Sequence, residues 1–223
     1  IDEYTIDSIE NVMGIDLGLR FLATSYDSSG ITRFYTGKNV KNKRAHYKEL
    51  RSELQRKGTR SSRKRLKTIG NRENRWMTDV NHQVSKALVE SVSKPTLFAL
   101  EDLTGVRSAT ETVCKDNRYY QVSWAFYQLR MMIEYKAARL GHSTIAVDPK
   151  NTSRSCPKCG YTDKNNRNNK KHLFTCKSCN YSSNDDRIGA MNVHSKGIKY
   201  RMDKTVEYTE QSQGASQPSL CKE

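Results

Sequence analysis

The sequence predicts an α/β fold with a small metal-binding module towards its C-terminal end. The chain has 223 residues, enough for one sizeable α/β core and one satellite module. Short β-prone apolar runs alternate with longer segments of helical periodicity, which indicates a sheet with flanking helices. Two Cys-x-x-Cys pairs separated by 16 residues indicate the module.

The chain opens with three predicted strands in succession. Residues 12–17 form a short, mostly apolar run with Asp16 near its end, which is typical of a buried strand. Residues 21–26 and 31–36 are β-prone and flank Asp27-Ser28-Ser29-Gly30, a turn signal, so they predict a hairpin.

A strongly basic segment follows at residues 38–75, with 15 Lys and Arg against three acids. Apolar residues at helical spacing and breaks at Gly58-Thr59 and Gly70-Asn71 predict a helical hairpin with a solvated basic face. The net charge of +15 favours a polyanionic partner, most simply nucleic acid. The residues expected to contact it are Lys41, Lys43, Arg44, Arg63, Lys64, Arg65 and Lys67.

The remaining elements continue the α/β pattern. A helix from about residue 73 to 92 is expected to pack on the sheet, and a buried strand at 96–100 leads into Glu101. Further predictions are a loop at 105–117, a helix at 119–140 capped by Gly141, a strand at 144–147, a helix at 185–199 and disorder beyond residue 202.

The four paired cysteines predict one structural zinc site. Two Cys-x-x-Cys turns at this spacing can close a tetrahedral shell of four thiolates. Such a closed site has no open position for a substrate, so the metal would be structural. His172 is then a spare ligand, and disulfide or redox use is the alternative interpretation. The predicted ligands are Cys156, Cys159, Cys176 and Cys179.

Acidic residues stand at the predicted ends of elements: Asp16, Glu101 and the pair Asp185-Asp186. Carboxylates gathered at strand ends are the ligands that two Mg²⁺ or Mn²⁺ ions need. The alternative for each acid is a cap or turn residue. Gly14-Ile15-Asp16-Leu17-Gly18 also resembles the start of actin-like ATPase domains, but no second glycine-rich phosphate loop follows the later strand.

Taken in order, the motifs resemble the C-terminal half of TnpB (OrfB) transposon-encoded nucleases and of the compact type V CRISPR effectors. They are Gly14-Ile15-Asp16-Leu17-Gly18, Glu101-Asp102-Leu103, the two cysteine pairs and Asp186-Arg187-Ile188-Gly189-Ala190-Met191-Asn192. The resemblance implies an RNase H-like (RuvC-type) mixed sheet with flanking helices, an inserted helical hairpin and a four-cysteine zinc ribbon. The implied parts are a nuclease domain at 10–150 with the hairpin at 38–94, the ribbon at 151–183, a final catalytic helix at 184–202 and a disordered tail at 203–223.

The same resemblance implies a metal-dependent, RNA-guided DNA endonuclease acting on target and single-stranded DNA with a guide RNA. Asp16, Glu101 and Asp186 would hold the catalytic Mg²⁺ or Mn²⁺, with Asp186 selected over Asp185 by alignment on Gly189, and Arg187 would contact the scissile phosphate. The family's recognition region lies before these motifs, so we expect the nuclease part without its targeting half. The alternative is a catalytically idle nucleic-acid-binding remnant.

The sequence also predicts a cellular location. There is no run of 18 apolar residues and no secretory leader pattern, so we expect a cytoplasmic protein without a membrane partner, encoded by a prokaryote or a phage. The oligomeric state has no signal in the sequence.

Overall fold

The computed structural model describes residues 6–18, 20–102 and 125–214 and arranges them around a five-stranded mixed sheet. The strands lie in the order β3-β2-β1-β4-β5. The first three pair antiparallel, whereas β4 and β5 run parallel to β1. This arrangement confirms the predicted α/β class, the hairpin and both later strands. The strands are β1 (Asn11–Asp16), β2 (Phe21–Asp27), β3 (Thr32–Thr36), β4 (Thr96–Glu101) and β5 (Ser143–Val147).

Helices cover both faces of the sheet. In the described residues they are α1 (Lys38–Lys57), α2 (Arg60–Val89), α3 (Ala125–Arg139) and α4 (Asp185–Gly214). On one face, Met13 and Ile15 of β1 pack against Leu88 of α2 and Ile133 of α3. On the other face, the neighbouring strand residues pack against α4, as Val12 does in a cluster with Ile198. Successive side chains of a strand point to opposite faces, so each buried strand packs against helices on both sides of the sheet.

The basic segment forms the predicted helical hairpin, but only one of its two predicted breaks exists. Gly58 has a φ of 62° and ends α1, and the Thr59 side chain accepts a hydrogen bond from the Ser62 N–H to cap α2. The break predicted at Gly70-Asn71 is wrong, because α2 runs through it without interruption. Tertiary packing against α1 overrides the low helix propensity of one glycine.

A buried ion-pair cluster fastens the two helices of this hairpin together. Glu73 of α2 is buried and pairs with Arg51 and with Arg44 of α1, the Arg44 Nε lying 3.6 Å from the carboxylate. A buried carboxylate needs such partners, because an unpaired charge is costly away from water. A Cβ added at Gly70 would lie 4.0 Å from the Arg51 guanidinium, an ordinary contact distance, so this glycine is not required for the pairing.

The two C-terminal helices differ from the sequence predictions at their ends. The described part of α3 begins at Ala125, so the predicted loop at 105–117 and the first turn of the predicted helix lie outside the described residues. Gly141 has a φ of 74°, as its predicted capping role requires. α4 continues to Gly214 where the sequence predicted a tail from 203, while residues 215–223 lie outside the described residues. Polar residues in this stretch were interpreted as disorder, although many are good helix formers.

No described helix has both the length and the apolar character needed to cross a membrane.

Glycines allow α4 to approach the centre of the sheet. A Cβ on Gly14 of β1 would lie 2.2 Å from the His194 backbone nitrogen and 2.3 Å from the Ala190 carbonyl oxygen. A Cβ on Gly197 would lie 2.9 Å from side-chain atoms of both Val12 and Ala99. Contacts of this length are closer than real Cβ atoms make, so glycine is required at both positions.

The cysteine segment forms a small separate sheet in front of α4. Its strands are β6 (Arg167–Asn168), β7 (Leu173–Thr175) and β8 (Ser182–Asn184), paired antiparallel in that order. The last strand runs directly into α4. Cys156, Phe174 and Cys176 pack against Ile188 in the first turns of the helix. The module and the start of α4 are therefore one packed unit.

Candidate active site

Strand alternation and register bring two of the predicted acids together. Asp16 ends β1 on the face covered by α4, because it shares the parity of Val12 and Gly14. Glu101 ends β4 on the same face, sharing the parity of Leu97 and Ala99. The parallel register sets Ile15 beside Leu100, so the two carboxylates emerge side by side.

The third acid enters from the start of α4. Asp16, Glu101 and Asp186 all line one cavity of about 920 Å³. The backbone N–H of Asp186 donates to Asn184 Oδ1 at 3.1 Å, which fixes the first turn of the helix. One carboxylate oxygen of Asp186, Oδ2, is buried and has no hydrogen-bond donor among the described residues. A buried acceptor without a described donor is consistent with a site that binds a cation.

Asp185 has a different place from Asp186. It is fully buried, and its Oδ2 accepts a hydrogen bond from Arg167 Nε at 3.0 Å. Its Oδ1 accepts from the Asp186 N–H at 3.1 Å. Asp186 therefore lines the cavity, whereas Asp185 binds Arg167.

Burial makes ionisation of all three carboxylates costly. Burial raises the pKa of Asp16 to about 8, and the charges of Glu101 and Asp186 add to the effect. Burial also raises the pKa of Glu101, against a hydrogen bond from Thr152 and the charges of Lys196 and Arg167. Burial and then the Asp185 charge raise the pKa of Asp186. A cluster of this kind is suited to hold divalent cations, which would remove the cost.

Two arginines that sequence analysis did not select line the cavity with the carboxylates. Arg167 stands near all three acids, since its charge lowers the pKa of Asp16, Glu101 and Asp186. Arg20 also lines the cavity and lowers the pKa of Asp186. Arg20 follows Asp16 by four residues but no sequence pattern marks it, whereas Arg167 reaches the site from the cysteine module.

Arg187 is not among the residues that line the cavity, and its predicted contact with the scissile phosphate stays a prediction. Its Nε donates to Thr32 Oγ1 at 3.0 Å and a terminal nitrogen donates to Ser183 Oγ at 3.3 Å. Adjacent helix residues point about 100° apart, so Arg187 and Asp186 face different sides of α4. The side chain fastens α4 to β3.

Gly189 provides the space for the Asp16 carboxylate. A Cβ at this position would lie 2.7 Å from Asp16 Oδ2 and 2.9 Å from its Cγ. The small-residue stretch Gly189-Ala190 thus permits the close packing that the sequence predicted.

His172 lies beside the carboxylates rather than among the thiols. Its Nδ1 is 3.6 Å from Asp185 Oδ1 and has no hydrogen-bond partner among the described residues. One ligand atom each from His172, Asp185 and Asp186 lies within 4.8 Å of the others. The residue predicted as a spare zinc ligand is therefore part of the cavity wall.

Polar contacts anchor α4 to the chain leading into the cysteine module. The Asn192 side-chain amide donates to the carbonyl oxygens of Thr152 at 2.6 Å and Ser155 at 2.8 Å. Lys196 Nζ donates to the carbonyls of Asp148 and Lys150. Asn192 lies in the motif around Gly189. Through these bonds it fixes the position of α4 relative to the segment that follows β5.

The four paired cysteines converge as the spacing predicted. Cys156 Sγ lies 3.6 Å from Cys179 Sγ, and Cys159 Sγ lies 3.6 Å from Cys176 Sγ. These separations are too long for disulfides, whose sulfurs lie about 2 Å apart. They match the edge of a tetrahedron of thiolates around a metal bound at about 2.3 Å. The cluster could hold one metal ion.

The two cysteine turns have the same backbone construction. Cys156 N–H donates to the Tyr161 carbonyl at 2.9 Å, and Cys176 N–H donates to the Tyr181 carbonyl at the same distance. Gly160 and Asn180, which follow the second cysteine of each pair, have positive φ values of 76° and 56°. The repeated turn points both thiol pairs inward.

Six of the seven basic residues predicted to contact nucleic acid are exposed on the hairpin. The exception is Arg44, which is buried and paired with Glu73, so it is corrected from a surface contact to a helix-fastening residue. Lys43 Nζ lies 4.4 Å from the centroid of the Trp76 ring. The exposed residues are Lys41, Lys43, Arg63, Lys64, Arg65 and Lys67.

Comparisons with known proteins identify relatives along most of the chain. Residues 7–104 match the family model described as "Probable transposase" (OrfB_IS605), and residues 126–193 match the "Cas12f1-like, TNB domain". TnpB-like protein MJ0751 of Methanocaldococcus jannaschii is 32% identical over 199 residues, covering 85% of this chain and 70% of that protein. A CRISPR-associated endodeoxyribonuclease Cas12f1 of Syntrophomonas palmitatica is 26% identical, covering 86% of this chain and 40% of the relative.

Solved structures show the same fold. A CRISPR-Cas12f ternary complex matches with a TM-score of 0.69 at 19% identity, over 83% of this chain and 38% of that one. A Cas12f1-sgRNA-target DNA complex matches with a TM-score of 0.65, over 82% of this chain and 49% of that one. The chain thus spans less than half of these Cas12f proteins. Together with the identity to the archaeal relative, these matches show that the chain belongs to the TnpB (OrfB) family, to which the Cas12f effectors are closely similar.

Proposed function

We propose that this chain is the RNase H-like, RuvC-type nuclease part of an RNA-guided DNA endonuclease that hydrolyses phosphodiester bonds. The observation that supports it is the convergence of Asp16, Glu101 and Asp186 on one cavity, with raised pKa values and a buried oxygen that has no described donor. Two relatives carry the names Cas12f1 endodeoxyribonuclease and TnpB-like protein, and the chain shares the fold of a solved Cas12f1 complex.

The three carboxylates fit two hard divalent cations, Mg²⁺ or Mn²⁺. Carboxylate oxygens are the ligands such ions prefer, and the open cavity leaves room for a phosphate and water. When bound, the two cations supply a water of lowered pKa as nucleophile and stabilise the leaving 3′-oxygen. The products would be a 5′-phosphate and a 3′-hydroxyl.

The chain's own residues bind and orient the substrate in this proposal. Arg167, held through its Nε by buried Asp185, presents a fixed guanidinium near all three acids and would bind the scissile phosphate. Arg20 and Lys41 line the same cavity and would bind neighbouring phosphates. The exposed cations of the α1–α2 hairpin would contact the backbone of the guide–target duplex or of single-stranded DNA without reading sequence.

The cysteine module holds a structural zinc ion in this proposal. Four thiols at tetrahedral spacing, with no open position, fit zinc and leave it no role in hydrolysis. Its task is to hold β8 and the start of α4, where Asp186 stands.

A cleavage assay tests the proposal. Purified chain, alone and with guide RNA, is incubated with a fluorogenic single-stranded DNA and Mg²⁺. We expect cleavage that Asp16→Ala abolishes, because one of the three carboxylates that would hold the cations is lost. Asp203→Asn is the control, since Asp203 is exposed on α4 away from the cavity.

Equal cleavage by the Asp16→Ala variant would overturn the assignment of the site. DNA binding without metal-dependent cleavage under all conditions would support the idle nucleic-acid-binding remnant instead. Hydrolysis of ATP in place of DNA would indicate the actin-like alternative.

A further inference from the structure

Two aromatic rings contact each other in a tilted arrangement on the sheet surface at the edge of the cavity. The ring centroids of Phe21, at the start of β2, and Phe34, in β3, lie 4.8 Å apart with planes inclined by 48°. The guanidinium carbon of Arg20 lies 5.0 Å from the Phe21 ring centroid. The Phe34 side chain is 43% exposed. The three residues form a cation–aromatic group that faces solvent, here called the Phe21–Phe34 platform.

Strand geometry sets which face this platform occupies. Phe34 shares a face with Thr32 and Thr36, while Tyr35 points to the opposite face, where its hydroxyl donates to the Ala87 carbonyl of α2. Thr32 accepts a hydrogen bond from Arg187 at the start of α4, and Thr36 lines the cavity. The platform therefore lies on the face of the carboxylates, next to the helix that carries Asp186.

The platform adjoins the candidate active site itself. Arg20, Phe21 and Thr36 line the same cavity as the three acids. Lys38 and Lys41, both exposed at the start of α1, line it as well. Among the described residues, neither Phe21 nor Phe34 belongs to a hydrophobic core cluster, so packing within the fold does not account for them.

Aromatic rings beside cations are the surface to which unpaired nucleobases bind. Every base has a π-face, so stacking on an aromatic side chain tolerates all sequences, and an arginine over the ring adds a cation–π contribution. A base in an intact duplex is already stacked between its neighbours and cannot use such a surface. The group thus distinguishes single-stranded from duplex DNA by physical access.

We propose that the Phe21–Phe34 platform stacks one unpaired base of the DNA strand, close to the phosphate held at Asp16, Glu101 and Asp186. This inference rests on the proposed nuclease function and adds a substrate-positioning site to it. Stacking would fix the strand so that one phosphate faces the carboxylates. It would also make the site prefer single-stranded DNA.

The test measures binding rather than cleavage, so that its result does not depend on activity. The full chain with Asp16→Asn is titrated with a single-stranded DNA carrying 2-aminopurine, and a second series moves an abasic nucleotide along the strand. We expect Phe34→Ala to weaken binding about tenfold and to remove the fluorescence quenching of the stacked base. Phe34→Tyr, which keeps the ring, is expected to bind within about twofold of the parent.

Two controls separate stacking from general effects. Tyr127→Ala removes an aromatic residue that is 60% exposed on α3, outside the cavity lining, and should leave binding unchanged. In the parent, one abasic position should weaken binding as much as Phe34→Ala does, and that abasic effect should vanish in the variant. Phe34→Leu keeps most of the apolar volume but lacks the ring. It therefore separates a loss of binding caused by the missing ring from one caused by misfolding.

The proposal is overturned if Phe34→Ala and Phe34→Leu bind as the parent does, or if the abasic effect persists in them. Equal weakening for duplex and single-stranded DNA would also overturn it, because a duplex offers no free base. If the parent chain never cleaves DNA but the stacking signals appear, the proposed nuclease function is wrong. The proposed base stacking on the Phe21–Phe34 platform is then still supported.

Discussion

The Asp16 carboxylate depends on the absence of a side chain at Gly189. A Cβ there would meet Asp16 Oδ2 at 2.7 Å, and β1 offers the carboxylate little other space because α4 lies directly on the strand. The position of this ligand is thus set by a glycine more than 170 residues away in the sequence. In a site that must bind cations and a phosphate together, displacements of this size decide activity.

Gly189→Ala is expected to lower the cleavage rate about 100-fold by displacing Asp16. Gly70→Ala is the matched control, because Gly70 is also inside a helix but its added Cβ has no atom closer than 4.0 Å. That substitution should leave cleavage unchanged and stabilise α2 by up to about 1 kcal/mol. Cleavage kinetics and thermal unfolding of both variants check the pair. Unimpaired cleavage by Gly189→Ala would show that Asp16 tolerates displacement.

At the scale of elements, the cysteine module and α4 act as one unit. Cys156 and Cys176 pack against Ile188, and the Asp185 N–H donates to the His172 carbonyl at 3.3 Å. Asp186 stands one residue later, so the module sets the direction from which the third carboxylate enters. A metal bound by the four thiols would therefore influence the position of Asp186.

Cys176→Ser is expected to remove about one equivalent of bound zinc and to lower DNA cleavage at least about tenfold. Added Mg²⁺ should not restore cleavage, because the defect lies in the position of Asp186 and not in cation supply. Zinc content by elemental analysis and cleavage over a Mg²⁺ titration are the measurements. Cys221→Ser, outside the paired cysteines, serves as the control. Full cleavage by a zinc-free variant would contradict this coupling.

The elements were accessible to sequence analysis in different degrees. Cys156, Cys159, Cys176 and Cys179 could be grouped because their ligand geometry is encoded in local spacing. Strand ends near Asp16 and Glu101 were visible because short, continuous apolar runs mark buried strands. Arg167 could not be found, since only the packing of distant segments brings it to the cavity, and Arg20 has no pattern that marks it although it lies four residues after Asp16. His172 was assigned to the thiols because it lies between the two cysteine pairs in the sequence. The predicted phosphate contact of Arg187 stays a prediction, and its side chain contacts Thr32 and Ser183.

At the scale of the whole molecule, the carboxylate cluster makes stability depend on pH. The pKa of Asp16 is raised from 3.8 to about 8, and those of Glu101 and Asp186 are raised as well. A raised pKa means that the folded state binds protons more tightly than the unfolded state. The stabilising contribution is therefore present at low pH and is lost as pH rises towards 8.

Without divalent cations other than zinc, the melting temperature is expected to fall between about pH 5 and pH 8.5. Asp16→Asn should make this decline shallower. At pH 8 its free energy of unfolding should exceed that of the parent by about 1–3 kcal/mol. Saturating Mg²⁺ should stabilise the parent most at high pH, because the cation competes with protons. Calorimetry across this pH range checks all three expectations, with exposed Asp203→Asn as control. An undiminished decline in Asp16→Asn would contradict the linkage.

Gly14 is a second glycine on which α4 depends, and it alters how the motif around Asp16 should be understood. Its missing side chain admits the backbone of Ala190 and His194, so the glycine serves helix docking and not phosphate binding. In a saturation-mutagenesis library, substitutions at position 14 should disappear under selection for folding alone. At position 16, substitutions no larger than the native side chain, such as Asp16→Asn and Asp16→Ala, should disappear only under selection for cleavage. Gly14 and Asp16 lie in one five-residue motif but are constrained differently, Gly14 by folding and Asp16 by cleavage.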